Sequence, residues 1–224
     1  MDYPIAVEDY VKVIYAHTEW QPTPITSRAL AERLGLAASS VTEMVKKLAA
    51  AGLITHVPYG PLTLTAEGRM RAVGVIRRHR LIETWLVRQF DYGWDEVHDE
   101  AEVLEHALSD RLLDSIDASL QFPTRDPHGD PIPSAGGVVT QPKGILLAEA
   151  DPGQAGVVVR ISDRDPALLR HLEASGLVVD REITVVGRQP FGGGFAVSLD
   201  GAAEPLDLGD LALASIWIAV TPER

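Results

Sequence analysis

TSRALAERLGLAASSVTEMVKKLAAAGL, residues 26–53, decides how the first third of the chain folds. Thr26 or Ser27 suits the N-cap of a helix carrying Ala29, Leu30, Ala31 and Leu34, and Gly35 ends it. After a turn of about three or four residues a second helix runs from roughly Ala38 to Ala51, burying Val41, Val45 and Leu48 at helical spacing. Its other face offers Ser39, Ser40, Thr42 and Glu43, then Lys46 and Lys47. These are the short polar and basic side chains that a recognition helix sends into a major groove. Ser39-Ser40 taken alone is an ordinary N-cap. The complete run of helix, glycine turn, helix and Gly52-Leu53-Ile54 is more demanding.

The flanks extend the same plan. Upstream, residues 5–20 place Ile5, Tyr10, Val13, Ile14 and Trp20 at roughly helical spacing, giving one amphipathic helix that carries Asp9, before Pro22 and Pro24 break the chain. Downstream, Leu53–Val57 and Leu62–Thr65 read as two short strands joined by Pro58-Tyr59-Gly60-Pro61, a hairpin wing. Thr65-Ala66-Glu67-Gly68 then opens a long helix to about Phe90. Helix-turn-helix followed by a hairpin is the winged-helix arrangement, which implies DNA binding. The candidate contacts are Thr26, Ser27 and Arg28, the second-helix residues Ser39, Ser40, Thr42, Glu43, Lys46 and Lys47, and Tyr59 at the hairpin tip.

Charge is distributed unevenly. The 224 residues carry a net −12, which looks wrong for a nucleic-acid binder. Residues 1–75, however, balance 7 basic against 7 acidic side chains, whereas 76–140 hold 6 against 13 and 141–224 hold 7 against 12. A neutral N-terminal region with Arg28, Arg33, Lys46 and Lys47 clustered can face a phosphate backbone. There is no cysteine, which rules out disulfides, thiolate catalysis and sulfur-rich zinc sites and leaves oxygen and nitrogen as metal ligands. No stretch has the apolar length of a membrane span, and Met1-Asp2-Tyr3-Pro4 lacks the basic and apolar regions of a signal peptide. The expectation is a cytoplasmic protein.

The second informative stretch is Val97-His98-Asp99-Glu100-Ala101-Glu102-Val103-Leu104-Glu105-His106. Read as one helix, it sets His98, Glu102, Glu105 and His106 on a single stripe, with Val97, Ala101, Val103, Leu104 and Ala107 opposite. His79 and Glu83 repeat the i, i+4 spacing one helix earlier, after Arg77-Arg78. Acidic residues at helical spacing are usually a solvated face. Six imidazoles and carboxylates together are different, because bunched carboxylates destabilise a helix unless a cation or a proton neutralises them.

The rest of the chain yields a coarser reading. Residues 66–120 are helical, with wide apolar faces (Val73, Val75, Ile76, Leu81, Ile82, Trp85, Leu86; Leu108, Leu112, Leu113, Ile116) suited either to a two-fold dimer interface or to core packing within one chain. Gln121–Gly137, with Pro123, Pro127, Pro131 and Pro133, reads as a stiff extended crossing. From Val138 short apolar runs alternate with glycine turns: Val157–Ile161, Ile183–Gly187, Phe195–Leu199 and Ile216–Val220, with a helix at Pro166–Ser175. That pattern predicts a small β-barrel. The fold class is mainly α with α+β parts, divided as a winged-helix domain (1–75), a helical metal-binding and dimerisation domain (76–140, Pro-rich from 121) and a small barrel domain (141–224). No HExxH, phosphate-loop or nucleophile-elbow signature occurs.

The combination of His79-x3-Glu83, Val97 to His106 followed by Ser109, and Pro127-His128-Gly129-Asp130-Pro131-Ile132-Pro133 resembles the diphtheria toxin repressor family of metal-dependent transcriptional regulators. The similarity covers essentially the whole chain, and 167–218 is similar to the FeoA-like, SH3-like barrel of longer members. The resemblance implies a primary, activating metal site at Asp9, Glu102, Glu105 and His106, and an ancillary site at His79, Glu83 and His98. Iron-responsive members carry Met at the position of Asp9 and Cys at that of Glu102, and manganese-responsive members carry carboxylates, as this chain does. Ligand chemistry agrees: three carboxylates and one imidazole make a hard site suited to Mn2+.

There are departures. Lys12 stands where some manganese members place a further carboxylate, which puts a close two-metal cluster in doubt. The barrel positions of the ancillary site align with Arg164 and Ala167, and Asp163 and Asp165 offer themselves as replacements. The implied protein is a homodimeric, non-enzymatic repressor that binds a palindromic DNA operator and takes Mn2+, with Fe2+ or another divalent transition metal as the alternative. It needs neither a membrane nor a small organic substrate. A dinuclear carboxylate enzyme is the rival from another class; neither Glu83 nor Glu102 is followed by the His three residues on that such bundles use.

Overall fold

The computed structural model describes residues 4–21, 23–57, 60–188, 194–202 and 204–221. Its chain contacts divide into two compact units, one comprising residues 1–79 with 133–138 and the other residues 80–132 with 139–224.

In the first unit, α1 (Ile5–Glu19) packs on α2 (Ser27–Leu34) and on β2 (Leu62–Leu64), and α2 packs on α3 (Ala38–Ala50). Thr26 caps α2 by accepting from the Ala29 N–H at 3.2 Å, and Gly35 ends it at φ 64°, a conformation glycine adopts without penalty. α3 starts at Ala37 with no side-chain cap, so Ser39 and Ser40 lie within its first turn rather than capping it. Val41, Val45 and Leu48 are buried, as are Leu30, Ile25, Leu53 and Leu62. β1 (Ile54–His56) pairs antiparallel with β2, Thr55 facing Thr63. The start of α4 (Ala66–Phe90) is fixed by Thr65, whose hydroxyl donates to the Gly52 carbonyl at 2.7 Å. Gly68 is required there, because a Cβ would lie 1.9 Å from the Leu53 carbonyl oxygen.

In the second unit, Ile82 and Leu86 of α4 pack with Val97 and Ala101 of α5 (Val97–Leu104), and Leu81 packs with Leu113, Ile116 and Leu120 around α6 (Asp110–Ser119). α5 is shorter than the expected helix through His106. Ser109 caps α6, accepting from the Leu112 N–H at 3.3 Å, and the chain turns over Glu105–Ala107 to reach that cap. Val103, expected on the apolar face, is 70% exposed, while Glu105 is fully buried.

The six remaining strands form one antiparallel sheet in the order β3-β8-β4-β5-β6-β7, comprising β3 (Ile145–Leu146), β4 (Ala155–Ile161), β5 (Glu182–Arg188), β6 (Phe195–Leu199), β7 (Leu206–Leu208) and β8 (Ile216–Val220). Among the described residues β3 and β7 pair only on one side, so the sheet is open where a closed barrel was expected. β3, β7 and the short α8 (Asp210–Leu213) went unread because two to four residues are too few to show a period. Val158, Ile161, Val185, Val197 and Ile218 alternate onto the buried face, covered by Leu169 and Leu172 of α7 (Pro166–Ala174) and by Trp94.

The Pro-rich stretch after α6 corrects the sequence reading. Over residues 126–130 it is a buried turn rather than an extended crossing. The Asp126 carboxylate accepts the His128 and Asp130 N–H groups at 2.9 Å each, and Arg125 bridges to Pro131. Gly129 holds φ 91°, with the Val159 carbonyl where a Cβ would go. Arg160 donates to Asp130 at 2.8 Å, and Arg80 lies 3.6 Å from Asp126 and 3.4 Å from Asp130. Paired guanidinium groups make burial of these two acids tolerable.

Candidate metal centre

Four segments of the second unit deliver imidazole and carboxylate groups to one place. Glu83 comes from α4 and is 1% exposed. His98 comes from the first turn of α5, its Nδ1 3.4 Å from Glu83 Oε1 and 3.5 Å from Asp163 Oδ2, its Nε2 3.5 Å from Glu102 Oε1. His128 comes from the buried turn, and Asp163 follows β4. Ligand atoms of Glu83, His128 and Asp163 all lie within 4.8 Å of one another. The spacing is wide for hydrogen bonds and suits donors that could surround a cation.

His128 shows the fit most directly. Its Nε2 lies 2.6 Å from the Trp94 carbonyl, which can only accept, so that nitrogen carries a proton in either charge state of the ring. Nδ1 is buried with no hydrogen-bond partner and lies 3.9 Å from Glu83 Oε2. A metal-ligating histidine is oriented in this way, one nitrogen donating to a carbonyl and the other directed at the ion. Burial works to lower the His128 pKa, but Glu83, Asp126 and Asp163 outweigh it and raise the imidazole to about 9. Asp126 is pushed up to about 8, by burial first and then by Asp130 and Glu83. A proton on His128 thus offsets the surplus of negative charge, and a divalent cation would offset it more fully.

The other expected ligands are placed as follows. Glu105 and His106 close the turn after α5, with His106 Nε2 3.3 Å from Glu105 Oε1, and Glu102 lies on the last turn of α5. Asp9 lies half-buried on α1 in the first unit. His79 lies on α4, one turn before Glu83, with its Nδ1 3.1 Å from Lys12 Nζ. The two barrel candidates part company: Asp163 faces His98, whereas Asp165 caps α7, its Oδ1 accepting from the Ala167 and Leu168 N–H groups at 2.9 and 3.1 Å. His128 is a donor that the sequence motif does not single out for metal binding. The available signal was a histidine between two aspartates in a stretch otherwise made of turn residues.

On the DNA-facing candidates, Ser39, Ser40, Glu43, Lys46 and Lys47 are all exposed on one side of α3. Thr42 is exposed too, its hydroxyl donating to the Ala38 carbonyl at 2.8 Å. Arg28 pairs with Glu32 at 2.9 Å on the surface, next to Ser27 at the start of α2. Tyr59 lies outside the described residues.

A winged helix joined to a buried cluster of nitrogen and oxygen donors defines a metal-dependent DNA-binding regulator. Comparison with known proteins agrees. Residues 5–62 match the iron dependent repressor N-terminal DNA binding domain, 65–134 the iron dependent repressor metal binding and dimerisation domain, and 145–219 the FeoA domain. The iron-dependent repressor IdeR of Mycobacterium tuberculosis is 32% identical over 206 residues, covering 87% of this chain and 88% of that one. The diphtheria toxin repressor of Corynebacterium glutamicum is 35% identical over 150 residues, 67% of this chain and 62% of that one. Among solved structures, a manganese-dependent transcriptional repressor in complex with manganese superposes with a TM-score of 0.92 at 47% identity, covering 96% of this chain and 100% of that one. The manganese regulator SloR does so at 0.80 and 31%, covering 96% and 98%.

The chain belongs to the diphtheria toxin repressor family and is a metal-dependent transcriptional repressor. That family is not one of enzymes, so the dinuclear-enzyme alternative falls. No helix among the described residues is long and apolar enough to cross a membrane.

Proposed function

We propose that the protein is a Mn2+-activated homodimeric repressor of manganese-uptake genes, acting in the cytoplasm on a palindromic operator. The observation that carries this is the donor set: the candidate ligands offer only carboxylates and imidazoles, in a chain without cysteine. Glu102 stands where iron-responsive members carry Cys, and Asp9 where they carry Met. The solved relative at 47% identity is described as manganese-dependent, which supports the same reading. The iron-dependent relatives at 32% identity make Fe2+ the competing effector.

The proposed activating ligands are Asp9, Glu102, Glu105 and His106. The proposed ancillary ligands are His79, Glu83 and His98, with Asp163 and His128 as further donors beside Glu83. Residues 1–75 bind DNA, 76–140 hold metal and pair two subunits, and 141–224 supply Asp163. A bound divalent cation supplies the positive charge that lets these carboxylates share a site. Without it Glu102, Glu105 and Asp9 repel one another, and the α3 helices of a dimer are not held at the spacing of successive major grooves. Turning a mostly inactive population into a mostly active one takes about 10⁴-fold preference for the active form, roughly 5.5 kcal/mol.

The test is operator binding across a series of metals. Supplied at the free level a cell maintains for each metal, Mn2+ restores operator binding to chelator-treated protein more fully than anaerobic Fe2+, Co2+ or Zn2+ does, and Glu102→Cys moves the preference towards Fe2+ and Co2+. Operator binding that survives exhaustive chelation, or a metal preference untouched by Glu102→Cys, would overturn the reading.

A further inference from the structure

Glu43 is the one acidic residue of α3, and an acid is the side chain least suited to a helix that must approach a phosphate backbone. At about 100° per residue it lies about 200° round the helix from Val41 and from Val45, and about 140° from Leu48, the three buried residues of α3. It therefore points away from the core. Ser39 and Ser40 are its neighbours one turn before and Lys46 and Lys47 one turn after, and all four are exposed with it. Glu43 is the centre of the polar face, the position that meets the floor of any groove this face enters.

Its carboxylate is uncommitted. Elsewhere in the same unit Arg28 pairs with Glu32 at 2.9 Å and Arg71 with Glu67 at 2.8 Å, each across four residues of helix. Glu43 and Lys47 have that spacing with the acid first, the more favourable order. Among the described residues, however, Glu43 makes no hydrogen bond or ion pair.

A free carboxylate on this face repels phosphate and weakens binding to every duplex alike. What it adds is discrimination between bases. A carboxylate has acceptors and no donor. On the major-groove edges guanine N7 and O6 and thymine O4 are acceptors too, so both bases are unfavourable partners. The donors are the N4 amine of cytosine and the N6 amine of adenine, and adenine sets its N7 acceptor beside that amine. Cytosine is left as the base that offers a donor with no acceptor next to it on the same ring.

We propose that Glu43 is a specificity-determining residue: its carboxylate accepts a hydrogen bond from the N4 amine of a cytosine at one position of each operator half-site, while Lys46 and Lys47 hold nearby phosphates. This rests on the reading of the chain as a repressor whose α3 enters the major groove. The acid lowers affinity for DNA in general and disfavours guanine and thymine at that position, which widens the gap between operator and unrelated sequence.

The experiment uses the full-length protein with saturating Mn2+. A pool of randomised duplexes gives the sequence that it enriches, and each half-site base pair of that duplex is then replaced in turn by the other three. Wild-type protein shows one position per half-site at which cytosine is preferred to guanine and thymine by about tenfold. Glu43→Gln moves the preference at that position alone to adenine, since an amide accepts from N6 and donates to N7 together. Glu43→Ala levels the four bases there, keeps the preferences at the other positions, and binds unrelated DNA about two- to threefold more tightly because a negative charge is gone. A purely structural role would instead weaken every position together.

A base profile that Glu43→Ala leaves unchanged overturns the proposal, as does a wild-type preference for guanine or thymine at the position that Glu43→Ala alters. Enrichment that proceeds equally after chelation overturns Mn2+ activation alone, and the base profiles still decide the role of Glu43. A wild-type protein that enriches no sequence with Mn2+ present overturns the DNA-binding reading and this proposal together.

Discussion

The exposed face of α3 and the cluster around Glu83 are both made of polar side chains, yet the first comes from one helix and lies in solvent, while the second is assembled from four segments around the buried Glu83 and His128. On α3 the residues opposite Val41, Val45 and Leu48 stay in water, where a lysine costs nothing to keep and is available to a phosphate. Around Glu83 the 126–130 turn and the segment after β4 bring His128 and Asp163 to a carboxylate that is itself buried, so its charge has to be balanced by a neighbour. Spacing alone therefore does not separate a recognition surface from a metal centre. What separates them is the cover that other segments supply.

The largest expected effect lies on the buried side of that contrast. Glu105→Ala removes a fully buried carboxylate from the proposed activating set and lowers Mn2+-dependent operator affinity by about 100-fold, read by fluorescence anisotropy at fixed salt. A loss under about threefold would show that Glu105 is a packing residue and that the contrast between the two regions is weaker than argued.

An intermediate effect appears in the pH dependence of the metal-free protein. His128 is raised to about 9 from an ordinary 6.5, so the folded chain binds more protons than the unfolded one between those values. The stabilisation is complete below pH 6.5 and is lost as pH climbs through 9, on the order of 3 kcal/mol across the window. Asp126, also raised, slopes in the same direction up to about pH 8. Urea unfolding of metal-free protein at pH 6.5 and 9 measures this, and His128→Asn flattens the dependence. Stability that instead rises with pH would mean that the imidazole is not the group balancing Glu83 and Asp163. The same protonation makes metal uptake at this cluster stronger as pH rises towards 9, since the ion must displace the proton.

The smallest effect belongs to the solvated face. Lys47→Ala weakens operator and unrelated DNA by similar factors and lowers the slope of log affinity against log salt by about 1. If only the operator is weakened and the slope holds, Lys47 reads bases instead of contacting phosphate.

Much of the first unit could be read from the sequence because its signals are local. The cap at Thr26, the left-handed Gly35 and the spacing of Val41, Val45 and Leu48 act within a few residues of one another, and the structure places each of them as expected. Between Val97 and His106 the ligand residues were legible, but the helix was read too long and Val103 was put on the wrong side, because the cap at Ser109 that forces the turn lies beyond the stretch. Asp163 and Asp165 could not be told apart, being two residues apart in the same kind of loop. Only the start of α7 shows that Asp165 is spent on a cap.

From the chain alone came the helix-turn-helix with its hairpin, the absence of any sulfur ligand from cysteine, and the residues that resemble a metal-responsive repressor, since backbone periodicity and residue chemistry are properties of neighbours in sequence. Tertiary structure decided that His128 turns an unpaired nitrogen towards Glu83, that the proline-rich stretch buries two aspartates against Arg80 and Arg160, and that a lysine on α1 reaches an imidazole on α4. These are contacts between residues tens of positions apart. Desolvation, which gives such contacts their energetic weight, depends on what the rest of the fold lays over them.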